Sequence, residues 1–178
     1  RYASRGLGDV YKRQGYVTID NEGNIIYLLG DQASNTWQNI SIPLADLILD
    51  VIEAGFIELF IVGDFSFSDV NQESAISRAK YYNAFYALNS TLLTNKNINF
   101  GLLFSSDGRS DSQLYTKQAI AQKYHSIFSY YLADAIKKGN YTSSQLINYV
   151  QRNVDYTSRR LHDTPQNIVY FGNANIEF

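Results

Sequence analysis

Apolar positions along the chain come in short runs divided by clusters of Asp, Asn, Ser and Gly, and the period of each run predicts an element. VTIDNEGNIIYLL predicts two short strands around the Asp20 to Gly23 turn, because Asp, Asn and Gly tolerate the positive φ of tight hairpins. SIPLADLILDVIEAG spaces its apolar residues as a helix does, with Ser41 as a candidate cap, Pro43 in the first turn and Gly55 as a stop. IELFIV, Ile57 to Val62, is too short for a typical helix and reads as a central parallel strand buried on both faces.

A second helix follows over Glu73 to Leu92, then the turn TNKN, the buried strand INFGLLF (Ile98 to Phe104) and the polar loop SSDGRSDSQ. HSIFSYYLADAIKKG predicts an amphipathic helix with Lys137 and Lys138 in its last turn and a stop at Gly139. TSSQLINYVQRNV places Thr142 and Gln145 at capping-box spacing, so a further helix precedes Pro165 and the closing strand NIVYF. Strands alternating with helices predict an α/β domain, a mostly parallel sheet with helices on both faces.

Length and composition narrow this picture. A chain of 178 residues with 45% hydrophobic and 18% charged positions suits one globular domain. The net charge of -2, with scattered Lys and Arg, offers no basic face to nucleic acid or an anionic membrane, and the apolar runs are too short to span a bilayer. The absence of Cys removes disulfides, thiolate metal sites and a thiolate nucleophile together. A chain that opens on Arg1 and has no Met reads as a fragment lacking its own amino terminus. Residues 1–14, RYASRGLGDVYKRQ, resemble a translated sequencing adapter and are set aside as a non-native leader, leaving 15–178 as the domain. Localisation stays open, with the cytoplasm favoured over secretion.

Candidate chemistry sits where the strands end, since ligands of open α/β sheets gather at the carboxyl ends. IVGDFSFSDV runs from an apolar strand into Asp64, Phe65, Ser66, Phe67, Ser68 and Asp69. On residue types alone, Asp and Ser after a strand are ordinary turn formers. The loop Ser105 to Gln113, with Asp107, Arg109 and Asp111, has the composition of a solvated loop, and its place after a strand makes it a candidate substrate loop. His125 stands at a helix start and His162 in a polar loop; two isolated His make no zinc site, and no metal or cofactor is expected. The Tyr-rich segments KYYNAFYAL and FSYYL read as helix packing before they read as a ligand groove.

Taken in order, GNIIYLLGDQ, ISIPLADLILDVIEAGFIELFIVGDFSFSD, LLFSSDGRSDSQLY, KYHSIFSYYLADAIKKGNYTSSQLINYVQRNV and DTPQNIVYFG resemble the caspase-like peptidases, in their bacterial caspase and metacaspase branch, over residues 15–178. The ending matches the family's Gln-Thr-Pro loosely, through Asp163, Thr164 and Pro165. The resemblance implies a caspase-like three-layer fold and cysteine-type endopeptidase chemistry, in which a His activates a Cys thiol and backbone amides receive the oxyanion.

The family pattern Asp-x-Cys-x-Ser-Gly falls on Asp64 to Asp69, so Ser66 takes the nucleophile position and Asp69 replaces the last Gly. The family's His belongs to an upstream Gly-His-Gly, of which Gly15 would be the second Gly; no His precedes Ser66. As implied by the resemblance, Asp64, Ser105, Ser106, Asp107 and Asp111 would line a substrate pocket favouring a basic side chain, with a peptide or protein segment as partner. The expectation is an endopeptidase domain that is inactive as written. The competing class is a non-catalytic peptide or protein-interaction module of a larger protein. A serine hydrolase lacks its Gly-x-Ser-x-Gly elbow, and a nucleotide-binding domain its Gly-rich strand-to-helix loop.

Overall fold

The computed structural model describes residues 15–19, 22–28, 41–54, 58–67, 74–94, 98–108, 110, 112–115, 125–172 and 175–177. Strand β1 (Gly15–Ile19) pairs antiparallel with β2 (Ile25–Leu28), bringing Ile19 opposite Ile25, and Gly23 between them holds φ at +89° as a tight connection requires. β2 pairs antiparallel with β3 (Ser41–Pro43), and β1 pairs in parallel with β5 (Phe65–Phe67). A separate sheet has the order β4 (Glu58–Gly63), β6 (Asn99–Phe104), β7 (Val169–Gly172).

The fold is thus α/β with mixed pairing, where the alternation of elements predicted a mostly parallel sheet. The connections give the reason. Between β4 and β6 the chain passes through β5 of the other sheet and a single helix, α2 (Ser74–Leu93), and it returns parallel to β4. After β6 come two helices, α3 (Ile127–Lys137) and α4 (Ser143–His162), folded back on one another at a turn where Gly139 has φ +79°. The chain therefore comes back to the end at which β6 stopped, and β7 runs antiparallel to it.

Strand β6 separates two apolar clusters. Phe100, Leu102 and Phe104 point to one face and pack with Leu44 and Ile48 of α1 (Leu44–Glu53) and with Phe85, Leu88 and Leu92 of α2. Leu103 points to the other, against Ile127 and Phe128 of α3 and Leu146, Val150 and Val154 of α4. The same alternation runs through the neighbouring strands: Leu59, Ile61, Val169 and Phe171 join the first cluster, Phe60, Ile168 and Tyr170 the second. Helices thus cover both faces of this sheet. Each fully buried side chain of this size is stabilised by about 1.5–3 kcal/mol relative to exposure, so β6 is the strand the rest is built on. The centre is β6 and not β4, whose Glu58 is exposed and whose Val62 keeps 40% of its surface.

Three helix boundaries differ from those the residue pattern predicted. Ser41 and Pro43 belong to β3, because β2 takes them as partners; α1 begins at Leu44 with Pro43 at its N-cap and no side-chain cap, and Gly55 lies outside the described residues. Ser126, and not His125, caps α3, accepting from Ser129 N at 2.9 Å. Thr142 caps α4 as its spacing predicts, but α4 runs well past Val154 because Thr157 and Ser158 keep the inward helical spacing although they are polar. Thr157 Oγ1 bonds the Tyr131 hydroxyl at 2.8 Å, and α4 ends only where Asp163 turns left-handed at φ 56°. His162 is therefore helical rather than part of a polar loop.

The Tyr residues of α2 pack as rings: Tyr82 lies 5.1 Å from Tyr86, which meets Phe171 edge-on at 5.4 Å. No described helix is long and apolar enough to cross a membrane.

Two outcomes follow for stability. A Cβ on Gly172, whose φ is +105°, would overlap the backbone carbonyl of Phe100, whereas one on Gly23 meets nothing within 4 Å. Gly172→Ala is expected to cost upwards of about 2 kcal/mol and Gly23→Ala only about 1 kcal/mol in urea denaturation, and equal costs would contradict the β6 to β7 register.

The second concerns Asp134 of α3, whose carboxylate accepts from Lys138 Nζ at 2.8 Å and from the Tyr149 hydroxyl of α4. These hydrogen bonds, Lys138 first, hold the Asp134 carboxyl below its ordinary value of 3.8. A depressed carboxylate stabilises the fold above its unfolded pKa and stops doing so as pH falls through the folded one. The Tm advantage of the wild type over Asp134→Asn, about a degree or two for a pair open to solvent screening, should hold near neutrality and be lost as pH falls below the ordinary carboxyl value of 3.8; an advantage that grows on acidification would contradict this pairing.

Candidate functional site

The carboxyl ends of β4 and β6 and the amino end of α3 meet at Asp64. Ser105 forms the first part of this junction. Its backbone N–H donates to Gly63 O at 2.8 Å, prolonging the β4 to β6 ladder by one step. Its side chain then takes over: Phe65 N–H donates to Ser105 Oγ at 3.0 Å and Ser105 Oγ–H donates back to Phe65 O at 3.3 Å. A side chain thus continues the ladder where the backbone leaves the sheet to form β5, which is why Ser105 is fully buried although polar.

Asp64 itself is half-buried and accepts from three hydroxyls: Ser112 Oγ at 2.9 Å on Oδ1, and Ser126 and Ser129 on Oδ2. Ser126 and Ser129 stand at the start of α3, where the helix dipole favours a negative charge. Among the described residues no Lys or Arg forms an ion pair with Asp64. A carboxylate offers about four acceptor positions, so the three serines leave about one for a ligand. The group keeps its place and much of its negative field, and a cation approaching it would meet neutral hydroxyls.

The first residues of the loop after β6, Ser105 to Gly108, are buried rather than solvated. Ser106 retains 1% and Asp107 7% of their surface. Ser106 Oγ accepts from Gly108 N at 3.0 Å and donates to Ser110 O, a turn closed by its own side chain. Asp107 N–H donates to Asn167 O at 2.9 Å. Of the residues predicted to line a pocket, Asp64 and Ser105 come together around Phe65, Ser106 closes a turn within the loop, Asp107 is buried with its N–H on Asn167, and Asp111 lies outside the described residues, as do Arg109, Asp69 and residues 1–14. Ser66 is described through its backbone, which lies in β5 opposite Tyr16 of β1.

Several residues here had no part in the reading of the sequence. Ser126 and Ser129 carry a signal in hindsight, since serines three apart at a helix start are cap-forming types. Gln166 carries none: it is fully buried, accepts from Gln113 N at 3.0 Å and donates to Ser105 O at 2.8 Å. His162 Nε2 lies 2.8 Å from Leu114 O, and since a carbonyl can only accept, the ring carries its hydrogen there. His125 contributes its backbone oxygen, which accepts from Tyr115 N at 2.8 Å. The Tyr115 ring stacks on Tyr130 with centroids 5.0 Å apart, and burial, reinforced by Tyr131 and Tyr130, pushes its hydroxyl pKa up.

No family model matches the chain, and no curated protein matches its sequence.

Asp64→Asn should destabilise the fold by about 1–3 kcal/mol, because an amide group would face hydroxyls that now donate. Ser126→Ala should cost about 0.5–2 kcal/mol as a lost cap. The two costs are expected to be non-additive in a denaturation double-mutant cycle; strict additivity would mean that the Ser126 hydroxyl does not hold the carboxylate.

Proposed function

We propose that residues 15–178 form a caspase-like domain of the three-layer kind that binds a peptide or protein segment at its strand ends and does not cleave amides as it stands. The observation that carries the reading is the parallel register of β1 on β5, with Gly15 opposite Phe65 and Tyr16 opposite Ser66. The resemblance makes Gly15 the second Gly of a Gly-His-Gly and Ser66 the nucleophile position. That register sets Gly15 beside Phe65, the residue before the nucleophile position.

The chemistry of the side chains argues for the inactive form. A Ser hydroxyl is far less acidic than a thiol and needs a positioned base before it can attack an amide carbon. His162 is engaged with the Leu114 carbonyl at the end of α4. In an active relative the thiolate would attack the carbonyl carbon, the imidazolium would protonate the departing amine, and water would hydrolyse the thioester. Asp64, negative and without a cationic partner among the described residues, would then favour a basic side chain in the bound segment.

The non-catalytic module is favoured by one further observation: Ser105 and Ser106 spend their hydrogen bonds within the protein, as does Asp64 with three of its about four acceptor positions. Such a site holds its shape without a substrate, which suits recognition by surface and charge.

Restoring the missing groups tests the reading. The variant carrying Arg13→Gly, Gln14→His and Ser66→Cys should cleave fluorogenic peptides after Arg or Lys at least about a hundredfold faster than Ser66→Cys alone, the scale of one general base. The wild type should cleave none. A folded triple variant that is inert, or faster on acidic peptides, would overturn the proposal.

A further inference from the structure

The loop that presents Ser112 to Asp64 is held from behind, by the segment that follows α4. Gln166 is its centre. The side chain retains no exposed surface; its Oε1 accepts from Gln113 N–H at 3.0 Å and its Nε2 donates to Ser105 O at 2.8 Å. Gln166 is itself fixed from α4, because its backbone N–H donates to Ser158 Oγ at 2.8 Å. One residue therefore ties together the start of the loop at Ser105 and its far limb at Gln113, through its side-chain amide, and the body of α4, through its backbone N–H.

Neighbouring bonds run between the same two segments. Gln113 Nε2 donates to Thr164 Oγ1 at 2.6 Å, Asn167 N–H donates to Ser110 Oγ at 3.2 Å, Asp107 N–H donates to Asn167 O at 2.9 Å, and His162 Nε2 bonds Leu114 O at 2.8 Å. Ser112, next to Gln113, then reaches forward to Asp64 at 2.9 Å. Ser110, Gln113 and Leu114 thus take their positions from residues 162–167.

We infer that Gln166 is a positioning residue for the strand-end site, setting the place of the limb that carries Ser112 onto Asp64. The arrangement explains why a Gln is kept without exposure: both ends of its amide are satisfied, and an apolar side chain there would leave the Gln113 N–H and the Ser105 carbonyl buried and unpaired. The site's negative group and the far end of α4 then share one hydrogen-bonded frame. As a statement about ligand binding, the inference rests on the peptide-binding reading above.

Amide hydrogen exchange on the full chain tests it, with Gln166→Met chosen because Met fills a similar volume and offers no amide. Exchange at Gln113 should accelerate about tenfold, while the amides of Leu102 and Leu103 in β6 stay protected. Affinity for a fluorescein-labelled Ala-Ala-Arg-Ala peptide should fall by about the same factor. Unchanged exchange at Gln113 in the folded variant would overturn the inference. So would uniform acceleration through β6, which would make Gln166 an element of global stability only. Should Gln166→Met fail to fold, Thr164→Val on the exposed side removes only the Gln113 side-chain acceptor; it should loosen Gln113 in the same direction and less, and no change there would equally overturn the inference. If the wild type does not bind the peptide, the exchange result still judges the positioning role, and the peptide-binding reading is what fails.

Discussion

The burial of β6 on both faces is the constraint from which the rest of the structure follows. A strand with Phe100, Leu102 and Phe104 on one side and Leu103 on the other needs a helical layer above and below it, and the chain supplies α1 and α2 for one face and α3 and α4 for the other. Because α3 and α4 form a returning pair, they begin and end at the same edge of the sheet. That is why the amino end of α3, the carboxyl end of α4 and the ends of β4 and β6 converge on one polar region.

In that region the polar groups are turned inward. Asp64 is answered by the hydroxyls of Ser112, Ser126 and Ser129, Ser105 completes a ladder that the backbone abandons, and Gln166 joins the loop to α4. Each buried donor or acceptor left unmade would cost about 1–3 kcal/mol, so the arrangement is rigid as a whole. On the peptide-binding reading proposed above, this preformed site at the strand ends would hold an extended segment by charge and shape, and the Ser at position 66 would lack the acidity of a thiol.

The element order was largely legible. The hairpin around Gly23, the strand from Asn99 to Phe104, the stop at Gly139 and the cap at Thr142 rest on local rules, the backbone freedom of glycine and the reach of a short side chain. Errors arose where a distant partner decided. Ser41 and Pro43 have helix-start character, yet β2 recruits them as an edge strand. The polar end of α4 has the residue pattern of a loop, and only its packing on α3, through Thr157 and Tyr131, makes it helical and inward-facing. Of the site, Asp64 and Ser105 were singled out from their place after strands, whereas Ser112, Ser126, Ser129 and Gln166 are brought to them from remote segments.

Residue order alone thus determined most of the segments that become strands and helices, the short strands β3 and β5 apart, and that polar groups would stand at the strand ends, because propensity, capping and hydrophobic period act over a few residues. Only the tertiary structure decided the direction of β7, the central place of β6 and the partners of Asp64. Those depend on how many helices intervene before the chain returns and on which buried donors lie within hydrogen-bond reach, distances that sequence separation does not encode.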